Sequence, residues 1–376
     1  MKVALVHDQL CEFGGSERVL VSLKRIFPQA DVFTLVYNPE KLGPHKEIIK
    51  KWQIKTSWFD KIPILRNSYS PFRFLTPFIW ESFNFSKYDL VISSSGSWMS
   101  KGIKTKKPTI HISYIHHPPR YLYGYETAIE WKKYLLVRIY AYFINHFLRI
   151  WDFYSSKRPD YLIANSKETQ SRIKRFYHRD SVVIYPPVEI PKKLQVKNYS
   201  SQDYYVTVSR LTKAKHIDVL IKAANQIKFN LKIIGAGRDE KYLKSTAGKN
   251  VDFLGSLPDQ KFKEIFLNAK AFLFASRDEE FGIAPVEAMG YGLPVIAYKS
   301  GGVMEYVEDE INGFLFDQLT AESLIKKIKK FEALDKNKIL KMKKKARKKA
   351  EEFTFERFKE NFILFLKKNT QFNVDN

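Results

Sequence analysis

One cysteine, Cys11, in 376 residues leaves no thiol to complete an intramolecular disulfide and no cysteine set for a zinc site, which fits a reducing compartment. Cys11 itself reads as a small buried hydrophobe near the first strand. No export leader is read, because the apolar start MKVALV is interrupted by His7 and Asp8 before it reaches the usual length of a leader core. A clean membrane span is missing as well. The most aromatic segment, WKKYLLVRIYAYFINHFLRIWDFY at 131–154, is long enough but contains Arg138, Asn145, His146 and Arg149. Arg138, Asn145 and Arg149 are spaced by 7 and 4, so at about 100° per residue they form one polar stripe. The segment is therefore expected to be an amphipathic helix, packed into the core or, as the lesser alternative, with part of its face touching lipid or a lipid-linked substrate. No repeat of 20–50 residues is present, and the dinucleotide fingerprint G-x-G-x-x-G is absent: residues 12–17 lack it, and GAGRDE at 235–240 places Glu240 where the third glycine belongs. Hydride transfer is disfavoured accordingly. Acids are scarce beside bases, 40 Asp and Glu against 64 Lys and Arg, giving a net charge of +24. Such a balance implies contact with something anionic, whether nucleic acid, a phosphorylated ligand or an acidic membrane surface. No recognisable nucleic-acid module accompanies the charge, so no nucleic-acid partner is expected.

What is present alternates. Short runs rich in β-branched and aromatic residues are separated by longer helical patterns, the signature of parallel sheets with crossover helices. In the first half the runs are VALVH (3–7), DVFTLVY (31–37), DLVISSS (89–95), TIHISYI (109–115), YLIAN (161–165) and SVVIYP (181–186). At PPVEIPKKLQVKNYSSQD (186–203) the periodicity stops, which places a linker there. A second series follows: YYVTVSR (204–210), NLKIIGAG (230–237), VDFLGS (251–256), AFLFAS (271–276) and PVIAY (294–298). The expected fold is α/β, with two doubly wound Rossmann-like domains facing across a cleft: residues 1–190, residues 200–355, and a C-terminal helical segment, 356–376, whose apolar stripe crosses back to the first domain. The Lys-rich stretch after about 320 reads as a solvated helix face.

Open α/β sheets bind ligands at the carboxyl ends of their strands. In EFGGSERV (12–19), Gly14 and Gly15 allow a close backbone approach and Ser16 is a plausible N-cap, so the helix start favours an anion. SRLTKAK (209–215) supplies Arg210 and Lys215, a cation pair suited to a diphosphate. In RDEEFGIAPVEAM (277–289) the helix is expected to begin at Pro285, with Glu287 in its first turn and the amides of Gly282, Ile283 and Ala284 open to an anion or a sugar. Glu279 and Glu287 then frame one ligand, and carboxylates accept paired hydroxyls well, which suggests a sugar.

Glu279 and Glu287 as E-x7-E with Phe281-Gly282 between them, Arg210 with Lys215, Gly14-Gly15, and GGVME at 301–305 together resemble the family-4 retaining glycosyltransferases of GT-B architecture, over nearly the whole chain. Within that family, SYIHHPPRY (113–121), ANSKETQSRIKRFY (164–177), VVIYPPVE (182–189) and FGIAPVEAM are most similar to bacterial mannosyltransferases that use GDP-mannose in O-antigen or other surface-polysaccharide synthesis. The resemblance implies that Arg210 and Lys215 hold the donor diphosphate, that Glu287 binds the ribose, and that Glu279 lies near the donor sugar. It implies further that Phe281, Gly282, Ile283 and Ala284 form the loop under the sugar and its phosphates, that Gly14 and Gly15 approach the diphosphate, and that His116 lies near the reacting carbon. It also implies retention by front-face attack, no metal and no other cofactor. The implied partners are a nucleotide-sugar donor, a saccharide or polyprenyl-diphosphate-linked acceptor, and the anionic inner face of the cell membrane around a cytoplasmic enzyme. Glu280 and His216 stand where glycine is frequent in the family, which bears on the donor; a UDP-sugar is the alternative.

Overall fold

The computed structural model describes residues 1–67, 69–128, 133–192, 203–257 and 259–372. It divides into two compact units. The first comprises 1–125, 130–187 and 356–376, and the second comprises 126–129 and 188–355. The part of the expected linker at 193–202 lies outside the described residues.

In the first unit, β1 (Val3–His7), β2 (Asp31–Thr34), β3 (Ile54–Thr56), β4 (Leu90–Ser95), β5 (Ile110–Ile115), β6 (Tyr161–Ala164) and β7 (Val182–Val183) form a sheet in the order β3-β2-β1-β4-β5-β6-β7. Every pairing is parallel. Strands buried on both faces need no alternation, which is why VALVH reads as one apolar run and is buried along its whole length. Except at VALVH, which coincides with β1, the expected strand runs are longer than the strands that form, and β3 went unread. It is a three-residue edge strand, IKT, half-buried throughout, and so has neither length nor a buried apolar run to mark it.

The helix Phe355–Asn369 supplies Phe358, Phe362, Phe365 and Leu366 to the cluster of Leu5, Leu23, Phe27 and Tyr114. Phe362 meets the Phe27 ring edge-on at 6.3 Å, and the Tyr161 hydroxyl donates to the Asn369 carbonyl at 2.7 Å.

The sheet of this unit also buries a polar ladder. Ser93 Oγ lies 2.8 Å from His111 Nε2 and 2.8 Å from Ser113 Oγ. Burial, with the charges of Arg179 and Arg158 adding to it, holds the His111 imidazolium pKa down to about 3, against about 6.5 in an unfolded chain. The unfolded chain therefore binds one more proton between those values, and stability falls as pH drops below about 6.5. Replacing His111 with glutamine should flatten that acid limb by about 1.4 kcal/mol per pH unit. Urea melts of both proteins from pH 7 to pH 5 check this.

In the second unit, β8 (Tyr204–Val208), β9 (Asn230–Ile234), β10 (Val251–Gly255), β11 (Phe272–Phe274), β12 (Val295–Tyr298) and β13 (Gly313–Phe316) run in the order β10-β9-β8-β11-β12-β13, again all parallel. The edge strand β13, GFLF, was not expected, because a four-residue apolar run after Asn312 cannot be told from a loop by pattern. The helix Lys336–Ala350 buries Ile339, Met342, Ala346 and Ala350 on one face and turns most of its lysines outward.

Candidate active site

In each sheet the strand order reverses once beside the first strand of the unit, between β8 and β11 in the second unit and between β1 and β4 in the first. At such a reversal the loops leaving neighbouring strands part to opposite faces and open a crevice. The candidate residues fall at these two places.

In the second unit the chain leaves β8 through Ser209 and the exposed Arg210, then makes the 3-10 turn Lys213–Lys215. The loop is held from below. The amides of Ser209 and Leu211 donate to the Ile234 and Ala236 carbonyls, both at 3.0 Å. Gly235, at φ +128°, and Gly237 lie so close that a β-carbon would overlap the Ser209 and Leu211 carbonyls respectively. The glycines of GAGRDE thus support the loop that carries Arg210, a role that the failed dinucleotide match gave no hint of. Gly235→Ala should cost about 1–3 kcal/mol of stability and weaken donor binding at the same time; thermal melts and equilibrium dialysis with nucleoside diphosphates check both.

Leaving β11, Ser276 Oγ donates to Glu279 Oε2 at 2.8 Å, and Lys215 Nζ donates to the same oxygen at 2.5 Å. The Lys215 and Glu279 side chains are 16% and 17% exposed, so the ion pair is largely desolvated yet open at one side. The turn that aims Glu279 has Asp278 at φ +53°, its amide donating to Ser300 Oγ at 3.0 Å. Gly302 donates its amide to the Glu279 carbonyl at 2.8 Å, and β-carbons at Gly301 and Gly302 would overlap the carbonyls of Glu279 and Glu280. GGVME therefore clamps the backbone of the acidic loop.

The following helix spans Ile283–Gly290 with Gly282, at φ 83°, as its N-cap. It starts two residues earlier than expected from Pro285. The proline sits inside the first turn, where its missing N–H would be unsatisfied in any case. Glu287 consequently falls in the second turn, buried, and not in the first. The amides of Ile283 and Ala284 occupy the helix start, where no intrahelical acceptor exists. Phe281 holds this loop from within. Its ring is buried between Tyr306 and Phe353, at 5.4 and 5.3 Å, and the Tyr306 hydroxyl lies 2.9 Å from the Phe281 carbonyl and 3.1 Å from that of Gly282. This side chain anchors the loop and presents nothing to a ligand.

His216, where glycine is frequent in the family, adopts that residue's left-handed conformation at φ 48°. Its Nε2 lies 2.8 Å from Glu126 Oε2, and Glu126 Oε1 lies 3.8 Å from Arg277. The side-chain contact helps offset the strain, about 1–2 kcal/mol for a non-glycine residue there.

In the first unit, Gly14 is the N-cap of the helix Gly15–Ile26, displacing Ser16 from that role. Glu17 closes the turn by accepting the Gly14 amide at 2.8 Å, and it also accepts the Ser16 hydroxyl at 3.0 Å. From Glu17 runs a buried chain of hydrogen bonds. Glu17 Oε1 is 3.1 Å from His7 Nε2, His7 Nδ1 is 3.0 Å from Ser94 Oγ, and Ser94 Oγ is 2.7 Å from His116 Nε2. Burial alone would raise the Glu17 pKa, but the hydrogen bond and charge of His7 and the Gly14 amide bring it below the usual carboxylate range. With Glu17 ionised, His7 Nε2 must carry a proton. In the case of a neutral His7 ring, Nδ1 accepts from Ser94, Ser94 accepts from His116, and the His116 proton lies on Nε2. Asp8, next along the chain, shapes the loop after β4 by accepting the amides of Gly96, Trp98 and Ser100 at 2.9, 2.7 and 2.9 Å.

Sequence reasoning found His116 and missed Glu17, His7, Ser94 and Asp8. The one local signal was the glutamate at the third helical position of GGSE, a capping pattern. The rest is long-range contact between β1 and the loops after β4 and β5.

The sequence is similar to known proteins over both units. The model described as Glycosyltransferase Family 4 matches residues 13–191, and that described as Glycosyl transferases group 1 matches 190–350. An uncharacterised glycosyltransferase of Methanocaldococcus jannaschii is 31% identical over 46% of this chain and 50% of its own length. The human alpha-1,3/1,6-mannosyltransferase ALG2 is 26% identical over 43% of this chain and 47% of its own. The chain thus spans about half the length of the curated relatives it matches. Among solved structures, Anabaena HepE in complex with UDP-glucose superposes with a TM-score of 0.69 at 20% identity, covering 98% of this chain and 100% of that one.

Proposed function

We propose that the chain, whose two Rossmann-like domains have the GT-B fold, is a glycosyltransferase that moves a hexose, mannose from GDP-mannose, to a lipid-linked saccharide in surface-polysaccharide synthesis. The observation that carries the reading is the half-open Lys215–Glu279 pair beside the start of the Ile283–Gly290 helix. Cations and free amides at one place suit a diphosphate, and carboxylates beside them suit hydroxyls.

In the proposed reaction the bond from the anomeric carbon to the phosphate oxygen breaks and its electron pair stays on the diphosphate. Charge grows there as the sugar becomes oxocarbenium-like, so Arg210, Lys215 and the amides of Ile283 and Ala284 act most strongly in the transition state. The acceptor hydroxyl adds to the same face of the sugar, and its proton passes to the departing phosphate oxygen. This gives retention without a protein nucleophile. Glu287 is assigned to the ribose hydroxyls, Glu279 to the donor sugar, and His116, held by Ser94, to a sugar hydroxyl. Gly14 and Gly15 are assigned to a close backbone approach to the diphosphate. The fixed cations stand in for a metal, so turnover should survive EDTA.

The mannose assignment draws on the similarity to a mannosyltransferase and on the HHPPRY and FGIAPVEAM stretches. A second reading, a UDP-sugar donor, is favoured by the fold's likeness to a protein solved with UDP-glucose. Incubation with GDP-mannose or UDP-sugars and a polyprenyl-diphosphate saccharide in EDTA, followed by NMR of the product's anomeric proton, separates the two. Mannose transferred with retained configuration is the expected product. Consumption of UDP-sugars alone would replace the donor, and an inverted anomer would overturn the front-face mechanism.

A further inference from the structure

The aromatic helix departs most from expectation. The helix Leu135–Ser155 was expected mainly to pack its apolar face into the core, yet among the described residues its buried contacts gather along a narrow side toward its C-terminal end, with the Tyr140 hydroxyl donating to the Pro71 carbonyl nearer its start. Leu148 is buried with Met99 and Leu122. Trp151 lies against Gly102, where a β-carbon would overlap its ring. Asp152 forms a buried ion pair with Lys101 and accepts the Tyr123 hydroxyl at 2.8 Å. Before Leu148, Ala141 is the one buried residue of the helix.

On the other side, Leu136, Tyr140, Phe143, Phe147, Ile150 and Tyr154 follow each other at alternating spacings of four and three residues. They are between 39% and 81% exposed. Single exposed apolar residues are ordinary; one unbroken stripe over about five helical turns is not. The stripe has a basic border. Exposed Lys133 and Lys157 flank its two ends, and the one acid from 133 to 157 is Asp152, which is buried on Lys101. Arg138, Asn145 and Arg149 form the polar stripe expected from their spacing and line, with Tyr121, Tyr123 and Tyr142, an open groove of about 720 Å³.

We propose that the Leu135–Ser155 helix lies flat on an anionic lipid bilayer, with the stripe from Leu136 to Tyr154 in the acyl boundary and Lys133 and Lys157, at its two ends, at the level of the lipid phosphates. Charge complementarity selects this occupant. A second copy would bring another +24 charge and an equally basic border against the first, whereas an anionic leaflet meets the apolar stripe and the cations at once. Tyrosines along the stripe suit the headgroup boundary, where a ring is apolar on its face and polar at its tip. No helix among the described residues is long and apolar enough to cross a membrane, so the mode is seating on the surface.

The test is flotation of the full chain with vesicles of phosphatidylcholine and phosphatidylglycerol (7:3) or phosphatidylcholine alone, at about 0.1 M salt. The wild type should float with the anionic vesicles and at least tenfold less with the neutral ones. F143E/I150E changes two exposed residues and should retain the melting temperature while losing flotation. K133Q/K157Q should lower partitioning on anionic vesicles by roughly tenfold or more, and provides the reading should the first variant fold poorly. Wild-type flotation by either folded variant would overturn the proposal, because net charge alone would then explain binding. A dimer abolished by F143E/I150E, without flotation of the wild type, would overturn it in favour of a second copy.

Discussion

Replacing Lys215 with alanine is expected to lower turnover by about 10²–10³-fold, the effect of removing one preorganised charge from a developing oxyanion. The substitution has a second consequence. Glu279, 17% exposed, accepts from Lys215 at 2.5 Å and from Ser276 at 2.8 Å. Without the ammonium, its charge faces an incoming diphosphate with one fewer cation between them. Donor affinity should therefore fall with the rate. Adding E279Q to K215A removes the repulsion and should restore part of the affinity while leaving turnover low, a non-additivity expected of groups in one ion pair. Steady-state kinetics and nucleotide titrations of the two single variants and the double variant check this; strictly additive losses would show that the pair does not act as a unit on the donor.

The Glu17→Gln variant is expected to be nearly as damaging to turnover, although nothing places Glu17 on a substrate. Three donors converge on this carboxylate, from Gly14, Ser16 and His7, and an amide offers one acceptor oxygen in place of two. When the amide nitrogen faces His7, Nε2 must become the acceptor, Nδ1–H donates to Ser94, Ser94 donates to His116, and the His116 proton moves to Nδ1. The tautomer of a histidine two residues along the chain of hydrogen bonds is thereby reversed. Loss of such an orienting partner costs about 10–100-fold in activity where it holds a metal ligand, and a similar loss is expected here, together with about 1–3 kcal/mol of stability. Long-range ¹⁵N–¹H spectra of histidine-labelled protein should show the proton on His116 Nε2 in the wild type and on Nδ1 in the variant. An unchanged His116 tautomer would remove the relay from the account.

The architecture was legible because buried parallel strands announce themselves as short apolar runs. The pattern failed at β3 and β13, which are edge strands of three and four residues. The residues proposed for the donor could be named from sequence because they share one loop and helix, or follow a strand directly, and Arg210, Lys215, Glu279 and Glu287 are charged residue types. The helix start was misplaced by two residues because Pro285 is tolerated anywhere in a first turn. The anchoring of this loop by Phe281 was not legible, since sequence cannot show that Tyr306 and Phe353 enclose its ring. The relay behind His116 was illegible for a different reason. Its members come from β1, a helix N-terminus, β4 and the loop after β5, and only parallel pairing brings them together. The exposed aromatic stripe was misread in favour of the core because an amphipathic pattern gives the width of an apolar face, not what covers it.

The central claim is that the second unit binds a nucleoside diphosphate through Lys215. It is tested most directly by melting temperature in EDTA with GDP, UDP or ADP, since a ligand at about 100 times its dissociation constant stabilises the native state by roughly 2.7 kcal/mol. The predicted result is a rise of several degrees with GDP that is lost in K215A. No rise with any of the three nucleotides, or a rise of equal size in K215A, would contradict it.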